Sequence, residues 1–178
     1  MNKEISTNNE YVDLLLAVRR HKENPLIKGE ICFREVLKSE TSLLVLKTKI
    51  ANYPGIWRIY KSINKRDTRK AVKLLQKTLI DNPEHWKGRI DSLWKTCLLQ
   101  RECRAEKKML IDLDTNDKDI YDKVIELIGD KLVLSVKSPN GYNIVTEMID
   151  TRLFDEFKNV TTFNRDGYVF LERITIGE

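Results

Sequence analysis

The stretch Lys107-Lys108-Met109-Leu110-Ile111-Asp112-Leu113-Asp114-Thr115 constrains this chain more than any other. Met109, Leu110 and Ile111 run straight into two carboxylates at i and i+2. Side chains on a strand alternate, so Asp112 and Asp114 share one face and Leu113 takes the other. Neighbouring carboxylates repel, and burying either is costly. A divalent cation removes that cost, and oxygen ligands suit Mg²⁺ or Mn²⁺. The same stretch also reads as a strand entering an acidic turn, with Asn116 or Asp117 capping the next helix.

The chain has 178 residues, enough for one good-sized domain or two small ones. No apolar run approaches the length of a membrane span. Residues 1–10 are polar and lack the apolar core of a signal peptide. Cys32, Cys97 and Cys103 show no metal-ligand spacing, and only His21 and His85 accompany them. The expectation is a cytoplasmic protein with reduced thiols and no membrane partner. Charge is uneven along the chain. Residues 1–108 carry 24 Lys+Arg against 13 Asp+Glu, and residues 109–178 carry 8 against 14. A basic first part suits a polyanion and an acidic second part suits cations, although a lysine-rich surface is often only solvated.

Tyr11, Leu14, Leu15 and Val18 fall at helical spacing and predict an amphipathic helix over residues 10–20. A short strand is expected over 30–37 and a helix from Ser39 onward. Tyr53-Pro54-Gly55 signals a turn, and residues 56–63 read as a strand. Asp67 is the expected N-cap of a helix bearing Val72, Leu74, Leu75 and Leu79. A second helix is expected over roughly 86–101. From 109 onward the pattern is strand 109–114, helix 118–128, strand 131–137, strand 142–149, short helix 152–157 and strand 160–163. A last strand, 168–176, is expected to form a hairpin with 160–163 through Asn164-Arg165-Asp166-Gly167. The fold class is therefore α+β. A ferredoxin-like, or RRM-like, β-α-β-β-α-β sheet occupies residues 107–178, and a basic α/β part occupies residues 1–106. In such a sheet the strand bearing Asp112 is central.

A second motif is Lys137-Ser138-Pro139-Asn140-Gly141-Tyr142-Asn143. Gly141 permits close backbone approach or a positive φ. Ser138, Asn140 and exposed N–H groups suit a phosphate, and Lys137 adds charge. Pro-Asn-Gly is equally a common hairpin turn.

Together the two motifs resemble the archaeo-eukaryotic primase superfamily, the primase-polymerases of archaea, eukaryotes, plasmids and phages. Asp112-Leu113-Asp114 stands where that family carries its acidic Asp-x-Asp motif. Ser138-Pro139-Asn140-Gly141-Tyr142-Asn143 stands where it carries a Ser/Gly-rich turn ending in histidine. The resemblance covers residues 107–145 by motif and 56–176 by layout. It implies metal-dependent nucleotide addition on a template in DNA replication. Asp112 and Asp114 would be metal ligands, and a third carboxylate would come from Asp150, Asp166 or Glu172, of which Glu172 is assigned here. Lys137, Ser138, Asn140, Gly141 and Asn143 would hold the nucleotide. Arg58, Arg66, Arg69, Lys70 and Lys73 would track the template, with Trp57 and Tyr60 available for stacking. The implied partners are single-stranded DNA or RNA, nucleoside triphosphates, and a helicase or other replication protein. If the protein is viral, it would act in the host cytoplasm. The chain departs from the family at Asn143, a neutral amide in place of histidine. The alternatives are an RRM-like binding module that has lost catalysis and, third, a metal-dependent nuclease.

Overall fold

The computed structural model describes residues 10–27, 29–84 and 87–177. Positions 14–18 are all apolar, Leu-Leu-Leu-Ala-Val, so the run satisfies a helical and a strand period alike. It forms strand β1, Tyr11–Arg19, and not the expected helix over 10–20. The reason is what flanks it. β1 is paired on both edges, with β2 (Ile31–Leu37) and β3 (Gly55–Ser62), which satisfies its backbone. Both its faces are also covered. Leu15 and Ala17 pack with Leu46 and Ile50 of helix α1, Glu40–Ile50. Val12 and Leu14 pack on the other face with Ala71, Leu93 and Leu98 of α2 (Thr68–Asp81) and α3 (Ile90–Leu99). The expected start of the second helix at Trp86 lies outside the described residues. A continuously apolar strand is what burial on both faces selects.

The segment between β3 and α2 joins the two halves of the molecule. Asn64 is fully buried; its amide donates to the carbonyls of Lys108 and Arg165 and accepts from the Lys108 N–H at 2.8 Å. Arg66 and Asp67 form the short strand β4 against the start of β1. Asp67 caps α2 as expected, accepting from the Lys70 N–H at 3.0 Å.

The second sheet is built from β5 (Met109–Leu113), β6 (Leu132–Ser138), β7 (Gly141–Thr146) and β8 (Thr161–Asn164). Its order is β6-β7-β5-β8, with every neighbour antiparallel. Helix α4 (Lys118–Ile128) has the bounds expected from sequence. Asp117 caps it by accepting from the N–H groups of Asp119 and Ile120, and Gly129 follows at φ 58°. The expected short helix near 152–157 is a 3-10 run, Thr151–Phe157. Val124 and Ile128 of α4 and Phe154 and Phe157 of that run bury Ile111, Leu113 and Ile144 on one face of the sheet.

The expected terminal hairpin does not form. β9 (Tyr168–Ile176) pairs with β3, so the first sheet runs β2-β1-β3-β9 while β8 stays in the second. Asn164-Arg165-Asp166-Gly167 is thus a crossover between sheets. Asp166 is held there by the buried Arg66 guanidinium, and the Ile63 N–H donates to the Gly167 carbonyl. A strand from the acidic part of the chain therefore completes the sheet of the basic part. Ile63, Leu110, Val145 and Val169 form a small apolar contact between the sheets. Among the described residues, no helix is long and apolar enough to cross a membrane.

Candidate functional site

Alternation along β5 sends Ile111 and Leu113 under α4. It sends Leu110, Asp112 and Asp114 toward the first sheet. The run stays extended past β5, because the Asp114 N–H donates to the Val160 carbonyl at 2.8 Å. The opposite wall comes from β1 and β3, whose Leu16, Val18, Arg58 and Tyr60 face Asp112 and Asp114 across a cleft of about 310 Å³. That volume is within the range of small-ligand sites. Arg20, just past β1, lines the same cleft, as do Ser138, Asn140, Asn143 and Asn164.

The charges in this cleft are balanced unevenly. Burial and then the Asp114 charge push the Asp112 carboxyl up from its usual range. Arg20, the Asn143 hydrogen bond and Arg58 pull it down and do not fully offset the rise. Arg58 is buried and makes a two-pronged pair with Glu23, Nε to Oε2 at 2.8 Å and Nη2 to Oε1 at 3.0 Å. Burial opposes the Arg58 charge, but its bonds to Glu23 and Tyr60 carry its pKa above the ordinary value. The Arg20 guanidinium stands 5.9 Å from the Tyr60 ring centroid.

Asn143 lies opposite Asp112 in the β5–β7 register. Its Nδ2 donates to Asp112 Oδ1 at 2.8 Å, and its Oδ1 accepts from the Phe170 N–H at 2.9 Å. Phe170 sits where the β3–β9 register shifts between Ile59 and Tyr60. The amide therefore orients the buried carboxylate with one end and satisfies the neighbouring sheet's backbone with the other.

The fold brings Asp112, Asp114, Ser138, Asn140, Asn143, Arg58 and Tyr60 to one cleft. It does not bring the other expected residues there. Glu172 pairs in register with Ile59, whose side chain packs under α1, so the two share the face turned away from Asp112. There Glu172 accepts from Lys47 Nζ at 2.9 Å. Asp166 is taken by Arg66, and Asp150 caps the Thr151–Phe157 run and pairs with Arg152. The Arg152 hydrogen bonds push the Asp150 carboxyl down to about 2. Lys137 is opposite Tyr142, which stacks on Tyr121 of α4, so Lys137 belongs to the helix face of the sheet. Gly141 is needed for close approach and not for a positive φ, since a Cβ there would meet the Leu113 carbonyl oxygen at 1.9 Å.

The template residues also divide. Arg66 is 1% exposed and bound to Asp166, so it is structural. Arg69 pairs with Glu10. Lys70 and Lys73 are exposed on α2 and do not line the cleft. Trp57 is fully buried, its Nε1 donating to the Tyr53 carbonyl at 2.9 Å.

Arg20, Asn164 and Tyr168 line the cleft and were not singled out by the sequence reading. Arg20 was hidden because Arg19-Arg20 reads as the end of a helix. Asn164 was hidden because its tetrapeptide reads as a hairpin turn. Among the described residues, no three His, Cys, Asp or Glu side chains cluster as a metal-binding group. A cation at Asp112 and Asp114 would draw its other oxygens from Ser138, Asn140, Asn164, water or substrate. Comparison of the chain with protein-family models, with curated proteins and with solved structures finds no match in any of the three.

Proposed function

We propose that this chain is a primase-polymerase-like nucleotidyltransferase domain acting on a nucleic-acid template. One observation carries the reading. Two adjacent carboxylates, one of them destabilised by burial, face two arginines across a cleft between sheets. Strand order adds support: counted from β5, the second sheet runs second-third-first-fourth, the arrangement of a ferredoxin-like split βαβ. Asp112 and Asp114 fit Mg²⁺ or Mn²⁺ because, at Asp112, burial and the neighbouring Asp114 charge outweigh Arg20 and Arg58. A bound metal would lower the pKa of a primer 3′-hydroxyl and neutralise triphosphate charge. Attack of that oxygen on the α-phosphorus forms the new ester and breaks the bond to the β-phosphate. Pyrophosphate takes the electron pair, and the hydroxyl proton leaves to water. Arg20 and Arg58 supply fixed charge for the phosphates, with Arg58 exchanging Glu23 for substrate. Ser138 and Asn140 offer donors at the rim, and Tyr60 offers a ring for a base.

The second reading is a binding module that retains the sheet without catalysis, gripping nucleic acid or another replication protein. It is favoured by Glu172 facing away, which leaves two acidic ligands instead of three.

The metal test is thermal. Millimolar Mn²⁺ is expected to raise the melting temperature of the parent, because a ligand of the native state stabilises it. Asp112→Asn with Asp114→Asn is expected to abolish that rise. Without metal, the double variant should be at least as stable as the parent at neutral pH. The raised Asp112 pKa means that the folded state binds more protons than the unfolded one. Parent stability therefore falls as pH climbs from the ordinary aspartate range through the raised value, and the variant escapes that fall. A parent melting temperature indifferent to Mn²⁺ removes the metal site.

A further inference from the structure

The crossover between the sheets serves two concavities. Asn164 and Gly167 line the cleft that holds Asp112 and Asp114. Arg165, between them, lines a separate groove of about 260 Å³ with Arg101, Arg104, Lys107, Glu106 and Met148. Four of these residues fall within positions 101–107, and Met148 and Arg165 come from two later segments. Arg101 opens the 3-10 turn Arg101–Cys103 after α3, and Lys107 leads into β5. The groove is pinned in place: Arg104 Nη1 donates to the Arg165 carbonyl at 2.9 Å, and the buried Asn64 amide donates to the same oxygen at 3.3 Å.

Its charge is unspent. Arg101, Lys107 and Arg165 are exposed, and none makes an ion pair with a described carboxylate. Arg104 is only 3.8 Å from Asp166, which Arg66 already occupies. Glu106 does not neutralise the groove, because it is committed to Lys108 at 2.9 Å. Burial works against its charge, yet the Lys108 hydrogen bond leads the effects that hold its carboxyl below the ordinary range. Glu102 is the remaining exposed acid of the turn. Four cations from two segments, arrayed along one groove, match a repeating anion better than a single phosphate. A groove of this size takes one strand and not a duplex.

We propose that Arg101, Arg104, Lys107 and Arg165 form the track along which a single-stranded nucleic acid approaches the Asp112–Asp114 cleft. Its assignment as an approach rests on the nucleotidyl-transfer reading of that cleft; its assignment as a strand-binding surface does not. It replaces the expected basic set of β4 and the face of α2, where Arg66 and Arg69 are already paired. Lys70, Lys73 and Lys77 there stand on the convex outside of a helix.

The test is fluorescence anisotropy with a short labelled oligothymidylate, in EDTA, across a salt series. Arg101→Glu/Lys107→Glu/Arg165→Glu is compared with Lys70→Glu/Lys73→Glu/Lys77→Glu, which changes the net charge equally. The groove variant is expected to bind at least about tenfold more weakly at low salt and to lose roughly 2 from the salt slope, at ~0.7 per phosphate contact. At physiological salt the helix variant should stay within about threefold of the parent, because charges off the path of the strand are then largely screened. Arg101→Gln/Lys107→Gln/Arg165→Gln should show the same ranking with a smaller loss, which guards against a folding defect from charge reversal. Equal losses in the groove and helix variants, or no binding by the parent, overturn the proposal. Loss in the groove variant of a protein that extends no primer upholds the groove as a strand-binding surface and removes the transfer reading. Primer extension by a groove variant of unchanged affinity overturns the groove alone.

Discussion

Arg66→Ala is expected to lower folding stability by about 3 kcal/mol, toward the low end of the range for stripping one partner from a buried ion pair. The side chain is 1% exposed, and its guanidinium meets Asp166 through two bonds, at 2.6 and 3.1 Å. Alanine would leave a cavity under β4 and an Asp166 carboxylate with only Arg104 near it. Two features keep the cost from the top of the range. Asp166 retains 29% side-chain exposure, so water can rescue it in part, and Arg104 lies within 3.8 Å. Arg66→Lys should fall between, because one ammonium cannot reproduce a two-pronged guanidinium contact. Urea unfolding with an unchanged m-value is the measurement. A loss below about 1 kcal/mol would place Arg66 among exposed pairs of small worth, contrary to its position here.

The second large effect is expected at Gly141. A Cβ at this position would lie 1.9 Å from the Leu113 carbonyl oxygen, 2.8 Å from the Thr115 N and 2.9 Å from the Thr115 O. All three are backbone atoms, so no flexible side chain can swing aside. Gly141→Ala must push the β6–β7 turn off the end of β5, on either side of Asp114. Overpacking of this kind costs about 1–3 kcal/mol, occasionally more. The same shift moves Asp114 and Asn140 relative to each other, so Mn²⁺ stabilisation should shrink together with the metal-free melting temperature. Wild-type stability in Gly141→Ala would mean that the turn stands farther from β5 than described.

Much of the second sheet was legible because its signals are local. Asp117 with the stripe Ile120, Val124, Leu127 and Ile128 defines α4 without tertiary help, and period-2 alternation at Asp112 and Asp114 already places both on one face. β1 was not legible, since five consecutive apolar residues fit either period until two flanking strands and two covering layers are known. The last strand was misplaced for a related reason. Asp166-Gly167 looks like a hairpin turn, but the partner that decides its geometry, Arg66, lies 100 residues earlier. Arg66 itself was assigned to the template for want of that same contact. The third acid fails by alternation: Glu172 shares a face with Ile59 and not with Tyr60, a parity set by the irregularity at Ile59/Tyr60. Asn143 was legible as a departure from the motif that the chain otherwise resembles. Its role, bridging Asp112 to the Phe170 N–H, exists only once the two sheets meet.

Mn²⁺-dependent extension of a primed single-stranded template, by the parent and by Asp112→Ala, tests the central claim most directly. The parent is expected to extend the primer. The variant should lose at least about 10²–10³ of the rate, the scale on which removing one preorganised group in a reacting site is felt. Chelation of Mn²⁺ should stop the parent as well. Extension by Asp112→Ala at the parent's rate, or no extension by the parent at all, would contradict the account.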